Sequence, residues 1–219
     1  MQERLYIVEG PSKSGKSTLL SELEKDENIK VIRGMPSQHP KENKFLVKKA
    51  YELIKGNRLN FRACLDLPPE EGMDLMTRCI RISKLQFSEA MRQTQGGYTI
   101  FLNRSIISLI ALNRLASDIA IKRKNEKLAS WSFRSSENAM CASQLAGVRG
   151  IIFITEPYNP ALKDIKDGMS GLELSETNFL SQVIDELRRP SKIPLLNLNP
   201  NKMTIQEETQ SVQHFIKTT

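Results

Sequence analysis

Cysteine is scarce in this chain: only Cys64, Cys79 and Cys141 occur among 219 residues, far apart and odd in number. A disulfide framework is thereby excluded, and no pair has metal-ligand spacing, so the thiols read as reduced ones in a cytoplasmic compartment. Histidine is scarcer still. His39 and His214 have no sequence neighbour that suggests a metal site or a catalytic pair. No apolar run approaches the ~20 residues of a membrane-crossing helix. The first strand-like stretch begins within a few residues of Met1, so no signal peptide is expected. Internal repeats and low-complexity segments are also lacking.

What is present describes a globular protein. Hydrophobic residues make up 39% and charged residues 26%, which excludes a disordered or fibrous chain, and the length suits one domain, residues 1–219, with a real core. The net charge of +7 points to anionic partners, mononucleotides or nucleic acid, without choosing between them. Mixed runs such as Lys122-Arg123-Lys124-Asn125-Glu126-Lys127 read as solvated helix faces.

Five short apolar stretches have strand character: Leu5–Val8, Lys30–Ile32, Tyr98–Leu102, Gly150–Ile154 and Ile193–Leu196. Between them apolar residues recur at three- and four-residue steps, as in Leu19-Leu20-Leu23, Phe45 to Ile54, Ile106 to Leu115, Phe179 to Leu187 and Val212 to Ile216. Strands alternating with helices predict an α/β protein, a parallel sheet covered on both faces. Two loops, Gly34–Pro40 and Lys166–Ser175, follow the second and fourth strands, where open parallel sheets collect ligands.

The stretch Gly10-Pro11-Ser12-Lys13-Ser14-Gly15-Lys16-Ser17 carries the chemistry. It matches G-x-x-x-x-G-K-[ST], following an apolar strand and opening an amphipathic helix through Thr18 and Leu19. Gly10 and Gly15 let the backbone turn its N–H groups inward as a nest for phosphate oxygens. The Lys16 ammonium is placed to reach β- and γ-phosphates, the Ser17 hydroxyl to bind Mg2+, and the helix start adds its positive end. ATP with Mg2+ is the expected ligand.

The segment "IVEGPSKSGKSTL" resembles the opening of the thymidylate kinase and deoxynucleoside kinase families. "TIFLNRSIIS" (Thr99–Ser108) looks like their third strand and its Asp-Arg or Glu-Arg-Ser segment, and "LMTRCIRISK" (Leu75–Lys84) like the arginine-bearing helix before it. "GIIFITEPYNPALKDIKDG" is similar to the fourth strand and a lid, and "KIPLLNLNPN" to the last strand and adenine-side loop. The resemblance implies a P-loop NTPase-type three-layer sandwich of about five parallel strands, the first central, with a mobile lid near residues 161–175. It implies transfer of the γ-phosphoryl of ATP to a nucleoside or nucleoside monophosphate, and often a homodimer. Carried over by residue, Arg104 binds acceptor or phosphoryl oxygens, Arg78 or Arg81 faces the acceptor, and Arg33 with the residues to Gln38 forms part of its wall. A planar guanidinium fork suits such oxygens.

Three positions depart from that pattern. Asn103 stands where the families have an acid before the arginine; an amide binds water but adds no charge. "VIRGMPSQ" offers no carboxylate after the second strand. A sugar hydroxyl profits from a base, whereas a monophosphate oxygen is already ionised, so the acceptor expected is a nucleotide rather than a nucleoside. The lid has Lys163 and Lys166 but no arginine, and Lys13, inside the phosphate loop, is expected to supply the missing cation. Glu9, Glu156 and Asp164 are further carboxylates near strand ends, Glu9 with influence on the magnesium site. Trp131 and Phe133 either cap the acceptor pocket or pack, packing being favoured. The leading expectation is a catalytic set of Lys16, Arg104 and Lys13 in a nucleotide or nucleoside kinase. A kinase acting on a 5′ end or modified base of nucleic acid, and an ATP-binding protein with a degenerate transferase site, remain as alternatives.

Overall fold

Five apolar stretches pair in parallel as one sheet, in the computed structural model that describes residues 4–11, 13–33, 69–141, 145–156 and 169–219, apart from the side chains of 69, 72, 75, 76, 78, 79, 82, 141 and 169–174. They are β1 (Leu5–Glu9), β2 (Ile29–Ile32), β3 (Thr99–Asn103), β4 (Val148–Ile154) and β5 (Leu195–Leu198), in the order β2-β3-β1-β4-β5. The first strand is central, as expected. It pairs with β3 (Val8 opposite Asn103) and with β4 (Glu9 opposite Phe153), and every residue of it is buried. A strand covered on both faces needs an unbroken apolar run, which Leu5-Tyr6-Ile7-Val8 supplies.

The helices are α1 (Lys16–Leu23), α2 (Pro69–Thr94), α3 (Ile106–Lys122), α4 (Glu126–Cys141), α5 (Met169–Ser191) and α6 (Ile205–Thr218). Alternation along the strands sorts the core into two faces. Leu5, Ile7, Ile100, Leu102, Ile151 and Phe153 share one face with residues of α2, α3 and α5. Tyr6, Val8, Phe101, Ile152 and Ile154 share the other with Leu19, Leu20 and Leu23 of α1 and Val212 of α6. Full burial of each such leucine contributes about 2 kcal/mol. The result is a three-layer α/β/α sandwich. On the α6 side, Gly150 makes room for a ring: a Cβ there would lie 2.6 Å from Phe215 Cε1.

Several sequence expectations shift, among them the start of β4, which lies two residues earlier, at Val148, and residues 169–175, which are helix rather than loop. The last strand starts two residues later, at Leu195, because Pro194 has no N–H to give the ladder; its carbonyl accepts from Ile151 N at 2.9 Å. The charged run 122–127 is broken by a tight corner at 123–125, with Lys122 closing α3 and Glu126 and Lys127 opening α4. Lys124 takes a left-handed φ of 58°, Asn125 N donates to Ala120 O at 2.8 Å, and Asn125 Oδ1 accepts from Leu128 N at 3.1 Å to start α4. The loop 34–40, the apolar repeat from Phe45 to Ile54 and the lid residues 161–168, with Lys163, Asp164 and Lys166, lie outside the described residues, whereas 169–175 belong to α5. Among the described residues no helix is long and apolar enough to cross a membrane.

Candidate active site

Each strand's carboxyl end delivers a polar residue to the same edge of the sheet. β1 ends at Glu9 and the chain turns at once into the phosphate loop. Gly10 is required there by space: a Cβ would stand 2.8 Å from Ile154 O and 2.9 Å from Ser14 Oγ. Gly15, at a φ of 83°, closes the loop, and its carbonyl accepts from Thr18 N at 2.9 Å and Leu19 N at 3.1 Å to begin α1. Lys13 also holds a left-handed φ, of 61°, and is exposed, as are Ser17 and Thr18, while Pro11 and Ser14 are buried. Ser12 lies outside the described residues.

Lys16 is buried, and its ammonium is satisfied by its own loop. Nζ donates to Gly10 O at 2.9 Å, Pro11 O at 2.5 Å and Ser14 Oγ at 3.0 Å. Burial pushes this amine down to about 7, and the positive charge of Arg104 adds to the effect, while Glu9 and Glu176 pull the other way.

Glu9 is fully buried and clamps the start of α3. Its Oε1 accepts from Ser105 N and Ser105 Oγ, both at 2.7 Å, and its Oε2 from the Ser108 hydroxyl. Burial pushes the Glu9 carboxyl upward; Ser108, Ser105 and Arg104 oppose the shift. Ser105 in turn caps α3 by accepting from Ile107 N at 3.1 Å. The carboxylate therefore joins the end of β1 to the helix that follows Arg104.

Arg104 sits between these anchors with a φ of 63°, a strained geometry for a side chain with a Cβ. Its N–H donates to Val8 O at 3.0 Å, extending the β1–β3 ladder to the lip of the loop. Its guanidinium meets Glu176 Oε1 of α5 at 3.2 Å. Asn103, the preceding residue, follows Phe101 on the α1 face, and its Oδ1 is buried with no hydrogen-bond partner among the described residues.

The remaining candidates are dispersed. Arg33 turns back onto α1, where it pairs with Glu24 and reaches Ser21 Oγ at 3.4 Å. Arg81 is exposed on α2, and the side chain of Arg78 lies outside the described residues. Glu156 ties the end of β4 to the segment after β5, accepting from Asn199 Nδ2 at 3.0 Å and Asn201 Nδ2 at 2.9 Å. Trp131 is half-buried against a cavity of about 360 Å3 between α2 and α4, with Lys84 and Arg134, whereas Phe133 is 55% exposed.

The donor set fits a nucleotide triphosphate. A glycine whose Cβ has no room, an ammonium at the loop's centre and a hydroxyl at the first turn of α1 are what phosphate oxygens and a hard cation need. Among the described residues no three His, Cys, Asp or Glu side chains gather, so a metal here would rest on Ser17, phosphate oxygens and water. Glu176 and the Ser105–Ser108 pair were the site residues missed from sequence. The serines carry a faint signal, since an i, i+3 spacing puts both hydroxyls on one side of a helix start. Glu176 carries none.

This architecture, a three-layer α/β sandwich on a five-stranded parallel sheet, is the fold seen in thymidylate kinase. Among solved structures the chain is similar to a thymidylate kinase from Candida albicans, with a TM-score of 0.61 and 19% identity over 99% of this chain and 92% of that one. No protein-family model matches the sequence, and no curated protein does either.

Proposed function

We propose that this protein is a phosphotransferase that moves the γ-phosphoryl of ATP to a nucleoside monophosphate or nucleoside, the monophosphate favoured. The observation that carries the proposal is the convergence of two cations on one lip of the sheet. Lys16 stands in the loop after β1, and Arg104, bonded through its amide to Val8 O, stands one residue past β3. Phosphoryl transfer spreads negative charge over the equatorial oxygens, so what a protein supplies is position and positive charge.

In this reading the loop from Gly10 to Thr18 holds the triphosphate through its backbone N–H groups, Pro11 having none to give. Lys16 exchanges its two carbonyl partners for phosphate oxygens, which also restores its charge. Ser17 would hold Mg2+, which when bound neutralises phosphate charge and aligns the terminal group. Arg104, with Asn103 beside it and Arg78 or Arg81 on α2, holds the acceptor and the group in flight. Arg33 joins them only by leaving Glu24. Glu9 is buried and engaged by Ser105 and Ser108, so it is in no position to deprotonate a sugar hydroxyl. That supports an acceptor already ionised. The Candida albicans thymidylate kinase has broad substrate specificity, which argues for testing several bases.

ADP release from ATP and Mg2+ should be measured against nucleosides, nucleoside monophosphates and single- and double-stranded DNA. One mononucleotide or nucleoside is expected to stimulate it, and Lys16→Ala to lower the stimulated rate by about a hundredfold or more. Stimulation by DNA alone would move the acceptor onto a polymer. ATP binding with no stimulation by any acceptor would reject transferase activity.

A further inference from the structure

The Arg104 segment lacks an acid on its own strand, and the fold brings one from elsewhere. Glu176 stands on α5, 72 positions along the chain, with its carboxylate 3.2 Å from the Arg104 guanidinium. Its side chain is 10% exposed and that of Arg104 32%, so the pair is shielded more than a surface ion pair. Both charges lie close enough to Lys16 to bias its ammonium, Arg104 against and Glu176 in favour. Asn103, meanwhile, buries an amide oxygen that pairs with none of the described residues. The strand position before Arg104 thus contributes a neutral group, and α5 contributes the charge.

We propose that Glu176 is a positioning residue that holds Arg104 at the mouth of the phosphate loop from the α5 side. The proposal rests on the phosphotransferase reading for its kinetic consequence and on geometry for its electrostatic one. With its backbone fixed at a left-handed φ, Arg104 still turns about its side-chain torsions, and these set where the fork points. Glu176 fixes that direction from the α5 side. It also lowers the positive potential where the phosphates of ATP would lie. Removing it should therefore have two effects of opposite sign: transfer falls because Arg104 is no longer aimed, while ATP binds more tightly because an anion has left the site. Damage to folding would weaken both.

The test uses the full chain in three forms: parent, Glu176→Gln and Glu176→Asp. ATP affinity is read by calorimetry, and kcat and acceptor KM from the ADP-release assay. Glu176→Gln is expected to lower kcat/KM for the acceptor by about tenfold or more while tightening ATP by about threefold. Glu176→Asp, which keeps the charge on the same helix position, should bring both back toward parental values. A rate within twofold of the parent, weaker ATP binding in Glu176→Gln, or a Glu176→Asp variant no better than Glu176→Gln would overturn the proposal. If the parent transfers to no acceptor, the functional reading fails separately. The ATP affinities alone then decide, tightening and reversal supporting the role of Glu176 and constancy rejecting it.

Discussion

All three donors of the Lys16 ammonium are turned back on its own loop, and the consequence is a proton. An amine held near 7 against an ordinary 10.5 binds fewer protons folded than unfolded between those values, so its contribution to stability rises with pH across that window. Phosphate oxygens favour the charged form. Binding ATP at about pH 8.5 should therefore take up close to one proton, seen in calorimetry as an apparent enthalpy that changes with the buffer's ionisation enthalpy. Lys16→Arg, always charged, should bind without that uptake. Lys13 makes a complementary case. It is exposed at the loop's outer rim, so Lys13→Ala should slow turnover by about tenfold or more with ATP affinity within twofold. Unchanged turnover would remove Lys13 from the catalytic set.

At the scale of elements, α6 shows how a helix carries one unfavourable residue. Thr204 and Glu207 form a capping box at its start, with Thr204 N donating to Glu207 Oε2 at 2.7 Å. The next residue, Glu208, is buried, and its Oε1 has no partner among the described residues. Burial pushes that carboxyl upward. A raised acid is protonated more readily folded than unfolded, so Glu208 is best tolerated at low pH and costs stability as pH climbs through its folded value. Glu208→Gln should raise stability at neutral pH by about 1 kcal/mol, a Tm gain of about 2–4 °C, and the gain should shrink in acid. Elements were legible where the signal is local. The phosphate loop needs only its glycines, lysine and flanking periods. The start of β5 was read two residues early, since apolar character does not register that Pro194 lacks an N–H. Glu176 was illegible, because on a helix it is one polar residue among several until the partner 72 positions away is known.

On the scale of the whole molecule, the central place of β1 among five parallel strands was legible from the resemblance, and the observed order β2-β3-β1-β4-β5 explains where the site must be. Strands flanking β1 cross over to opposite sides of it, so the crevice at its carboxyl end is open to both Arg104 and the loop. That same order has a consequence for synthesis. Every partner of β1 is made long after it: β3 begins at Thr99, β4 at Val148, and the Glu9 clamp spans 96 positions to Ser105. Contacts so distant in sequence form late and slowly. The shape of the phosphate loop is set by Ile154 behind Gly10 and by Ser105 and Ser108 on Glu9. A ribosome thus releases the glycine-rich turn after β1 and leaves it without its form until β4 has followed. Through that interval an apolar strand is the exposed part, and ATP has nothing yet to hold.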